Sequence, residues 1–216
     1  MIFTRGIVRL AESRGTVWSG AGQLEIREKG QRIGHAHPLV WRFRPWSLLR
    51  GRIAFAVELD QAGPPATLSL GLSGIELADV HITLPAAVLG LAEPRLAALK
   101  LDGGLILRVP RIAIGHHRVQ GSGVLEWHRA SSALTTVSPL GDYALDFAGS
   151  GATGDTSLRT LQGPLQMEGK GSWGSNGASA FAGSARVPSA LQQELAPLLR
   201  LFTIERSPGS FEIQLR

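Results

Sequence analysis

The sequence predicts an all-β fold, mainly antiparallel with a few short helices, as a curved open sheet or half-barrel made of two related halves. Residues 15–26, GTVWSGAGQLEI, combine β-branched and aromatic residues with glycines, which is typical of a strand broken by a tight turn. Related phrases recur at 121–130 and 169–174. The 27 glycines and 12 prolines are scattered, as in short strands joined by turns.

The length of 216 residues fits one all-β domain, 1–216. The absence of cysteine excludes a disulfide framework, a zinc finger and thiol catalysis. The formal net charge is +5, and of the 22 basic residues only Lys29, Lys100 and Lys170 are lysines. Genome composition is one explanation of this arginine bias, and attraction to anionic surfaces is the other.

The first half of the chain predicts strands with helical turns between them. Alternation is clearest at 40–44, where Trp41 and Phe43 would share one face and Arg42 and Arg44 the other. The other strands are predicted at 7–10, 15–26, 32–37, 52–60, 66–72 and 75–84. Short helical segments are predicted at 45–49, ended by Gly51, and at 85–91 and 94–99.

The second half adds the one longer helix, at 188–202. Its leucines, together with Phe202, have helical spacing, and Pro197 is expected to kink or divide it. The strands are predicted at 101–110 (with a kink at 103–104), 111–118, 119–128, 134–137, 143–148, 158–161, 165–173, 178–187 and 209–215.

Two segments, 79–109 and 183–215, share one order of elements: strand, proline, apolar helix, glycine, strand. This similarity predicts an internal duplication, about 1–110 and 111–216. The alternative is that any meander with helical corners looks self-similar.

Motifs for ligands or metals are weak. Two G-x-G-x-x-G patterns, 149–154 and 169–174, are expected in turns and open no helix, so no nucleotide site is predicted. His35 and His37 would share a strand face, and the adjacent His116 and His117 would point to opposite faces. His81 and His128 stand alone, so we predict neither a metal site nor a cofactor.

Candidate catalytic groups are equally sparse. There is no G-x-S-x-G nucleophile elbow. Asp142 and Asp146 are a possible carboxylate pair, but a turn residue and a strand residue explain them more simply. No catalytic residue is therefore predicted.

Residues 41–52, WRFRPWSLLRGR, hold four arginines, three aromatic residues and no acid. Core-facing aromatics behind a solvated basic face are one interpretation. Contact of Arg42, Arg44, Arg50 and Arg52 with an anionic membrane surface or a partner is the second. A nucleic-acid platform would need both residue types on one face, so no nucleic-acid partner is predicted.

Seven phrases follow one another over nearly the whole chain: GTVWSG, WRFRPWSLL, LPAAVLGL, GSGVLEWHRA, SPLGDYALDF, LQGPLQMEGKGSW and LAPLLRLF. In order and spacing, these phrases resemble the type II secretion system protein N family (general secretion pathway protein N). Trp18 is expected to be a core residue that sets strand register. The residues that we expect to be structural in these phrases are Gly15, Trp18, Gly20, Trp41, Pro45, Trp127, Pro139, Leu140, Gly141, Gly163 and Trp173.

The resemblance implies a non-enzymatic accessory component that contacts other inner-membrane components of the type II secretion system. It also implies a periplasmic domain held at the inner membrane by one N-terminal helix. The longest apolar run, 84–92, is too short to span a membrane, and Met1 leads into strand-like sequence, so we expect the chain to start just after that anchor. No small-molecule substrate is implied.

Two other functions stay open. A long sheet with an apolar inner face would suit a periplasmic carrier of lipids or other hydrophobes. A glycan-binding domain near the cell wall has one local hint, Glu126 beside Trp127.

Overall fold

The computed structural model describes residues 8–26, 36–59, 64–92, 94–174, 179–200, 204–207 and 210–215. These residues form one open, mainly antiparallel sheet, which confirms the predicted fold class. The chain divides into two compact units. Unit 1 is Met1–Ile82 with Val109–His116, and unit 2 is Thr83–Arg108 with His117–Arg216.

In the described residues, fourteen strands follow one another in sequence. Strands β1 to β7 are Val8–Gly15, Ser19–Ile26, Ala36–Arg44, Ile53–Leu59, Ala66–Gly71, Gly74–Pro85 and Leu101–Gly115. Strands β8 to β14 are Arg118–Ser132, Gly141–Gly151, Thr153–Gln162, Gln166–Gly174, Ser179–Arg186, Ile204–Ser207 and Ser210–Leu215. The α-helices α1 to α3 are Leu89–Ala92, Pro94–Ala97 and Gln192–Leu199, and 3₁₀ turns cover Pro45–Arg50, Ala86–Val88 and Ser189–Leu191.

Unit 1 pairs β1 to β6 as a meander in which each strand runs antiparallel to the next. Residues opposite one another in neighbouring strands share a face of the sheet. The register therefore places one apolar row on a single face, since Phe43 lies opposite Phe55, Phe55 opposite Leu68, and Leu68 opposite Leu77.

Unit 2 contains the packed core. Strands β8 to β12 form a second meander, and β14 is the strand that follows β12 in the sheet. Leu195, Leu198 and Leu199 of α3 are fully buried with Leu140 and Leu165 of the loops. The helix that the leucine spacing predicted thus exists and covers this core.

The prediction of a strand at 134–137 is wrong. Residues 133–140 form a loop, because Leu134 and Val137 pack against the core beside α3 instead of joining the sheet. Side-chain hydrogen bonds anchor the loop to the helix: Thr135 Oγ1 donates to the carbonyl of Glu194 at 2.9 Å, and Thr136 Oγ1 donates to its carboxylate at 2.6 Å.

Two further predictions about breaks in elements are wrong. The sequence predicts a strand break after Pro110, but β7 continues through it, and Pro110 is exposed there. It predicts that Pro197 kinks or divides the helix; α3 runs past Pro197 to Leu199, so the predicted division is wrong, while a kink stays a prediction. Phe202 lies outside the described residues, as do residues 32–35 of the strand predicted at 32–37.

The predicted duplication of 1–110 and 111–216 stays a prediction.

The G-x-G-x-x-G pattern at 169–174 lies within strand β11. The expectation that this pattern forms a turn is therefore wrong.

Candidate contact surface

The apolar face of unit 1 is built by alternation along short strands. Its members are large side chains that project from β3, β4, β5 and β6 on the same side of the sheet: Leu39, Trp41, Phe43, Phe55, Val57, Leu68 and Leu77. All are half-buried, whereas the fully buried apolar residues described in unit 1 are Ala54 and Val109. This face therefore retains apolar surface that further contact can remove from water.

Two tryptophan rings lie on glycines of the neighbouring strand. Trp41 lies opposite Gly20, and a Cβ at Gly20 would be 2.4 Å from the Trp41 ring. Trp173 lies opposite Gly154, where a Cβ would be 2.1 Å from the ring. Because real Cβ atoms do not approach so closely, each ring needs glycine beneath it.

Aromatic contacts continue along the apolar face of unit 1. The rings of Trp18 and Phe43 have centroids 4.7 Å apart, and those of Phe43 and Phe55 are 5.7 Å apart. The indole N–H of Trp41 donates to the carbonyl of Thr16 at 3.1 Å. These contacts tie the turn between β1 and β2 to strand β3.

The core position predicted for Trp18 is wrong. Trp18 is 57% exposed, because it belongs to the turn between β1 and β2, where one side of the ring rests on Phe43 and the other meets solvent. Gly15 ends β1 with a φ of 104°, and Pro45 begins the 3₁₀ turn, as the sequence indicates.

One end of unit 1 exposes large apolar side chains. We call this group the apolar tip: Val17, Trp18, Trp46, Leu48 and Leu49. Trp46 is 79% exposed and Leu49 is 80% exposed. Because β2 pairs with β3, the turn before β2 and the 3₁₀ turn after β3 lie at the same end of the sheet. An apolar cluster of this kind on a surface marks a site of contact.

The four predicted arginines flank the apolar tip. Arg42 and Arg44 are exposed on the opposite face of β3 from Trp41 and Phe43, which confirms the predicted alternation. Arg42, Arg44 and Arg50 form no ion pair with an acidic residue in the described part of the chain. Arg52 Nη1 lies 3.1 Å from Glu76, which Arg111 also contacts at 2.6 Å.

A polar network on unit 2 was missed from the sequence. His128 Nε2 lies 2.9 Å from a carboxylate oxygen of Glu126, and Nδ1 lies 3.4 Å from one of Asp142. Arg108 also contacts Glu126, at 2.6 Å. His128, which the sequence suggested stands alone, therefore bridges two carboxylates that the pairing of β8 with β9 brings together.

Hydrogen bonds in this network favour the ionised carboxylates. The contact with His128, helped by Arg108, lowers the pKa of Glu126, against the effect of burial. The backbone N–H of Arg129 lowers the pKa of Asp142, with smaller contributions from Gln162 and His128. Glu126 and Asp142 thus both form hydrogen bonds within this network. Asp146 instead pairs with Arg159 at 3.0 Å, so Asp142 and Asp146 have different partners.

The hint of a glycan site does not assemble. Glu126 and Trp127 are successive in β8 and point to opposite faces of the sheet. Trp127 is half-buried, and its indole N–H donates to the carbonyl of Asp102 at 3.0 Å. Its ring faces Tyr143 in the interior, at a centroid distance of 5.8 Å.

The other histidines are dispersed. His116 and His117 form the turn between β7 and β8 instead of lying on a strand, and His81 is exposed on β6. His37 is on β3, and His35 lies outside the described residues. Over the part of the chain that the structure describes, no cluster of three or more histidine, aspartate or glutamate side chains could hold a metal ion.

A family comparison decides the identity. The profile of the family described as "Type II secretion system (T2SS), protein N" matches residues 7–214, nearly the whole chain. The chain belongs to the type II secretion system protein N family. No curated protein and no solved structure matched the chain in the other two comparisons.

Membership of the protein N family makes the chain an accessory component of type II secretion, a system of the cell envelope. Within the described ranges, no helix is long and apolar enough to cross a membrane.

Four of the family phrases form two structural groups. GTVWSG and WRFRPWSLL form the apolar tip and the strands that support it. SPLGDYALDF and LQGPLQM meet in unit 2, where the hydroxyl of Tyr143 donates to the carbonyls of Leu165 at 2.8 Å and Leu140 at 3.2 Å. Gly141 and Gly163 lie against each other beside this contact, and exposed Pro139 precedes it. One group of phrases thus builds the surface and the other builds the core.

Proposed function

We propose that this protein N family member acts without catalysis, by binding other inner-membrane components of the secretion machinery through the apolar face of unit 1. We further propose that it does so on the periplasmic side of the inner membrane. The observation that carries the proposal is the half-buried row of Phe43, Phe55, Leu68 and Leu77 across four adjacent strands.

Covering this row would remove further apolar surface from water. Fully burying a leucine or phenylalanine side chain is worth about 1.5–3 kcal/mol relative to exposure. Completing the burial of several half-buried side chains would therefore contribute several kcal/mol of favourable free energy to the binding of a partner that covers them. Not all of this appears as affinity, because association costs translational and side-chain freedom.

The polar groups of unit 2 are consistent with a contact role for the protein. The carboxylates around His128 are engaged in ion pairs and hydrogen bonds, so they leave no pair aimed at a common substrate position. A shallow cavity of about 310 Å³ on unit 2 is lined largely by polar side chains such as Arg159, Gln162 and Arg186.

The experiment is an affinity purification from detergent-solubilised envelopes of a secreting strain, with Leu68→Glu against Thr67→Glu. The two residues are adjacent in β5 and project to opposite faces, so the same charge is added on each side. Leu68→Glu should lose the identified secretion components that the wild type recovers, and Thr67→Glu should retain them. Equal recovery with both variants contradicts the proposal.

The same apolar face also favours a second candidate, a carrier of lipids or other hydrophobes. An acyl chain covering the row of Phe55 and Leu68 would gain the same burial as a protein side chain. Native mass spectrometry of gently purified protein separates the two functions. Reproducible bound lipid that Leu68→Glu removes supports the carrier, and an empty wild type supports protein contact.

A further inference from the structure

We propose that the apolar tip of unit 1 inserts into the headgroup region of an anionic phospholipid bilayer, with Arg42, Arg44 and Arg50 contacting the lipid phosphates. This goes beyond the proposed function, because it concerns the end of the sheet and needs no protein partner. The apolar face is left available for secretion components.

The tip is held in shape by its own turns. In the turn before β2, the backbone N–H of Thr16 donates to the carbonyl of Ser19 at 2.8 Å, and the N–H groups of Trp18 and Ser19 donate to Thr16 Oγ1 at 3.2 Å. The N–H of Phe43 donates to the carbonyl of Trp18 at 2.6 Å, which joins this turn to β3. Trp18 is therefore presented outward by a structured turn.

The 3₁₀ turn that carries Trp46, Leu48 and Leu49 is equally well defined. Ser47 Oγ donates to the carbonyl of Arg44 at 2.6 Å and accepts from the N–H of Ala54 at 3.0 Å, so it bridges both ends of the turn. Gly51 ends the turn with a φ of 65°, and its N–H donates to the carbonyl of Leu48 at 2.9 Å. Because these turns are already ordered, insertion requires little reorganisation.

The residue types at the tip match the interface of a membrane. Tryptophan is enriched at the boundary between lipid tails and water, where its ring is buried and its N–H stays hydrated. Leucine side chains beside it reach the upper acyl region. Arginine can bury its aliphatic stem while its guanidinium binds phosphate in a bidentate manner.

Charge complementarity favours an anionic bilayer over a second copy of this basic chain. Residues 41–52 contain four arginines and no acid, and the whole chain carries a formal charge of +5. Arg42, Arg44 and Arg50 lack acidic partners in the described part of the chain, so their charge is available. Basic side chains beside an apolar segment bind anionic lipid surfaces in this way.

The test is vesicle flotation with the purified full chain. Vesicles of phosphatidylethanolamine with phosphatidylglycerol should carry the wild type, and vesicles of phosphatidylcholine alone should carry much less. Trp46→Ser with Leu49→Ser, and separately Arg42→Glu with Arg44→Glu, should each weaken binding about tenfold or more. These positions are exposed, so circular dichroism should show wild-type folding in both double variants.

Matched controls lie on unit 2. Leu161→Ser removes an exposed leucine, and Arg118→Glu with Arg200→Glu makes the same charge change at exposed arginines that form no described ion pair. Both controls should float like the wild type, apart from a small uniform effect of net charge.

Three results would overturn the proposal: failure of the wild type to float with anionic vesicles, unchanged flotation of the tip variants, or equal losses in the controls. Loss of a protein component from the tip variants, without any vesicle binding by the wild type, would assign the tip to a protein partner instead. None of these results alters the outcome expected for Leu68→Glu in affinity purification, so the two proposals can fail separately.

Discussion

The two units use their apolar residues in opposite ways. Unit 2 places leucines of α3 over the sheet and encloses them with the loops that contain Leu140 and Leu165. In unit 1, the described large apolar side chains are mostly half-buried, and others are exposed at the tip or elsewhere, as at Leu72. This difference assigns most of the packing stability to unit 2 and leaves on unit 1 the apolar surface on which the proposed contact depends.

The largest expected loss of stability comes from a substitution in the core of unit 2. Leu195 is fully buried, so Leu195→Ala removes apolar contacts and leaves a cavity. We expect the free energy of unfolding to fall by about 2–5 kcal/mol, measured by urea denaturation. Leu49→Ala removes the same side chain at the exposed tip and should change it by less than about 0.5 kcal/mol. Similar losses in the two variants would contradict the assignment of stability to unit 2.

Adding a methyl group beneath a tryptophan ring should have the next largest effect. A Cβ at Gly154 would lie 2.1 Å from Trp173 and 2.7 Å from the carbonyl oxygen of Ala148, so Gly154→Ala forces the ring or the strand to move. We expect a loss of about 1–3 kcal/mol in urea denaturation. Gly104→Ala is the control, because a Cβ at Gly104 would meet no heavy atom within 4 Å.

The same substitution in unit 1 sharpens the comparison. Gly20→Ala places its Cβ 2.4 Å from the ring of Trp41. Trp41 and Trp173 are both half-buried, and a Cβ at Gly20 would also lie 2.6 Å from the backbone carbonyl oxygen of Arg14, so we again expect a loss of about 1–3 kcal/mol. A much smaller loss for Gly20→Ala would show that the face of unit 1 yields more readily than the pair of β10 and β11 in unit 2.

A single hydroxyl in unit 2 should contribute less. Tyr143→Phe removes the donor to the carbonyls of Leu165 and Leu140 without changing the ring. We expect a loss of about 1 kcal/mol, the net worth of one hydrogen bond. Thermal or urea unfolding measures it, and an unchanged stability would argue against these hydrogen bonds.

The smallest expected effect is a pH dependence that originates in the network of His128. The folded protein lowers the pKa of Glu126 and of Asp142. Each carboxylate therefore stabilises the fold above its ordinary pKa, about 4, and that stabilisation is lost as the pH falls through the lowered value. His128→Gln should show a smaller loss of stability between pH 6 and pH 3 than the wild type.

The control for this pH dependence is His81→Gln, which alters an exposed histidine on unit 1. It should show the wild-type decline in the free energy of unfolding on acidification. Identical declines in all three proteins would mean that His128 does not influence the two carboxylates.

Strand identity was largely predictable because it depends on local patterns. The alternation of Trp41 and Phe43 with Arg42 and Arg44 specifies two faces, and the structure confirms them. The leucine spacing of α3 likewise predicts its buried side. In both cases, one periodic stretch contains all the information that is needed.

Exposure at the tip was not predictable in this way. Trp18 belongs to a residue type that is usually buried in the core. Its exposed position depends on the register of β2 against β3. Leu134 and Val137 were assigned to a strand because their partner, α3, is about 60 residues away in the sequence. The network of His128 was missed for the same reason, since Asp142 reaches it through the pairing of β8 and β9.

Strand β5 offers the most direct test of the proposed binding of secretion components by one face of unit 1. A photoreactive amino acid is placed at positions 66 to 70 in turn, and crosslinking is performed in cells that assemble the secretion machinery. We predict a period of two: positions 66, 68 and 70 crosslink an identified secretion component, and 67 and 69 do not, because alternate residues share a face. Uniform crosslinking along β5, or crosslinking at 67 and 69 alone, would contradict the account.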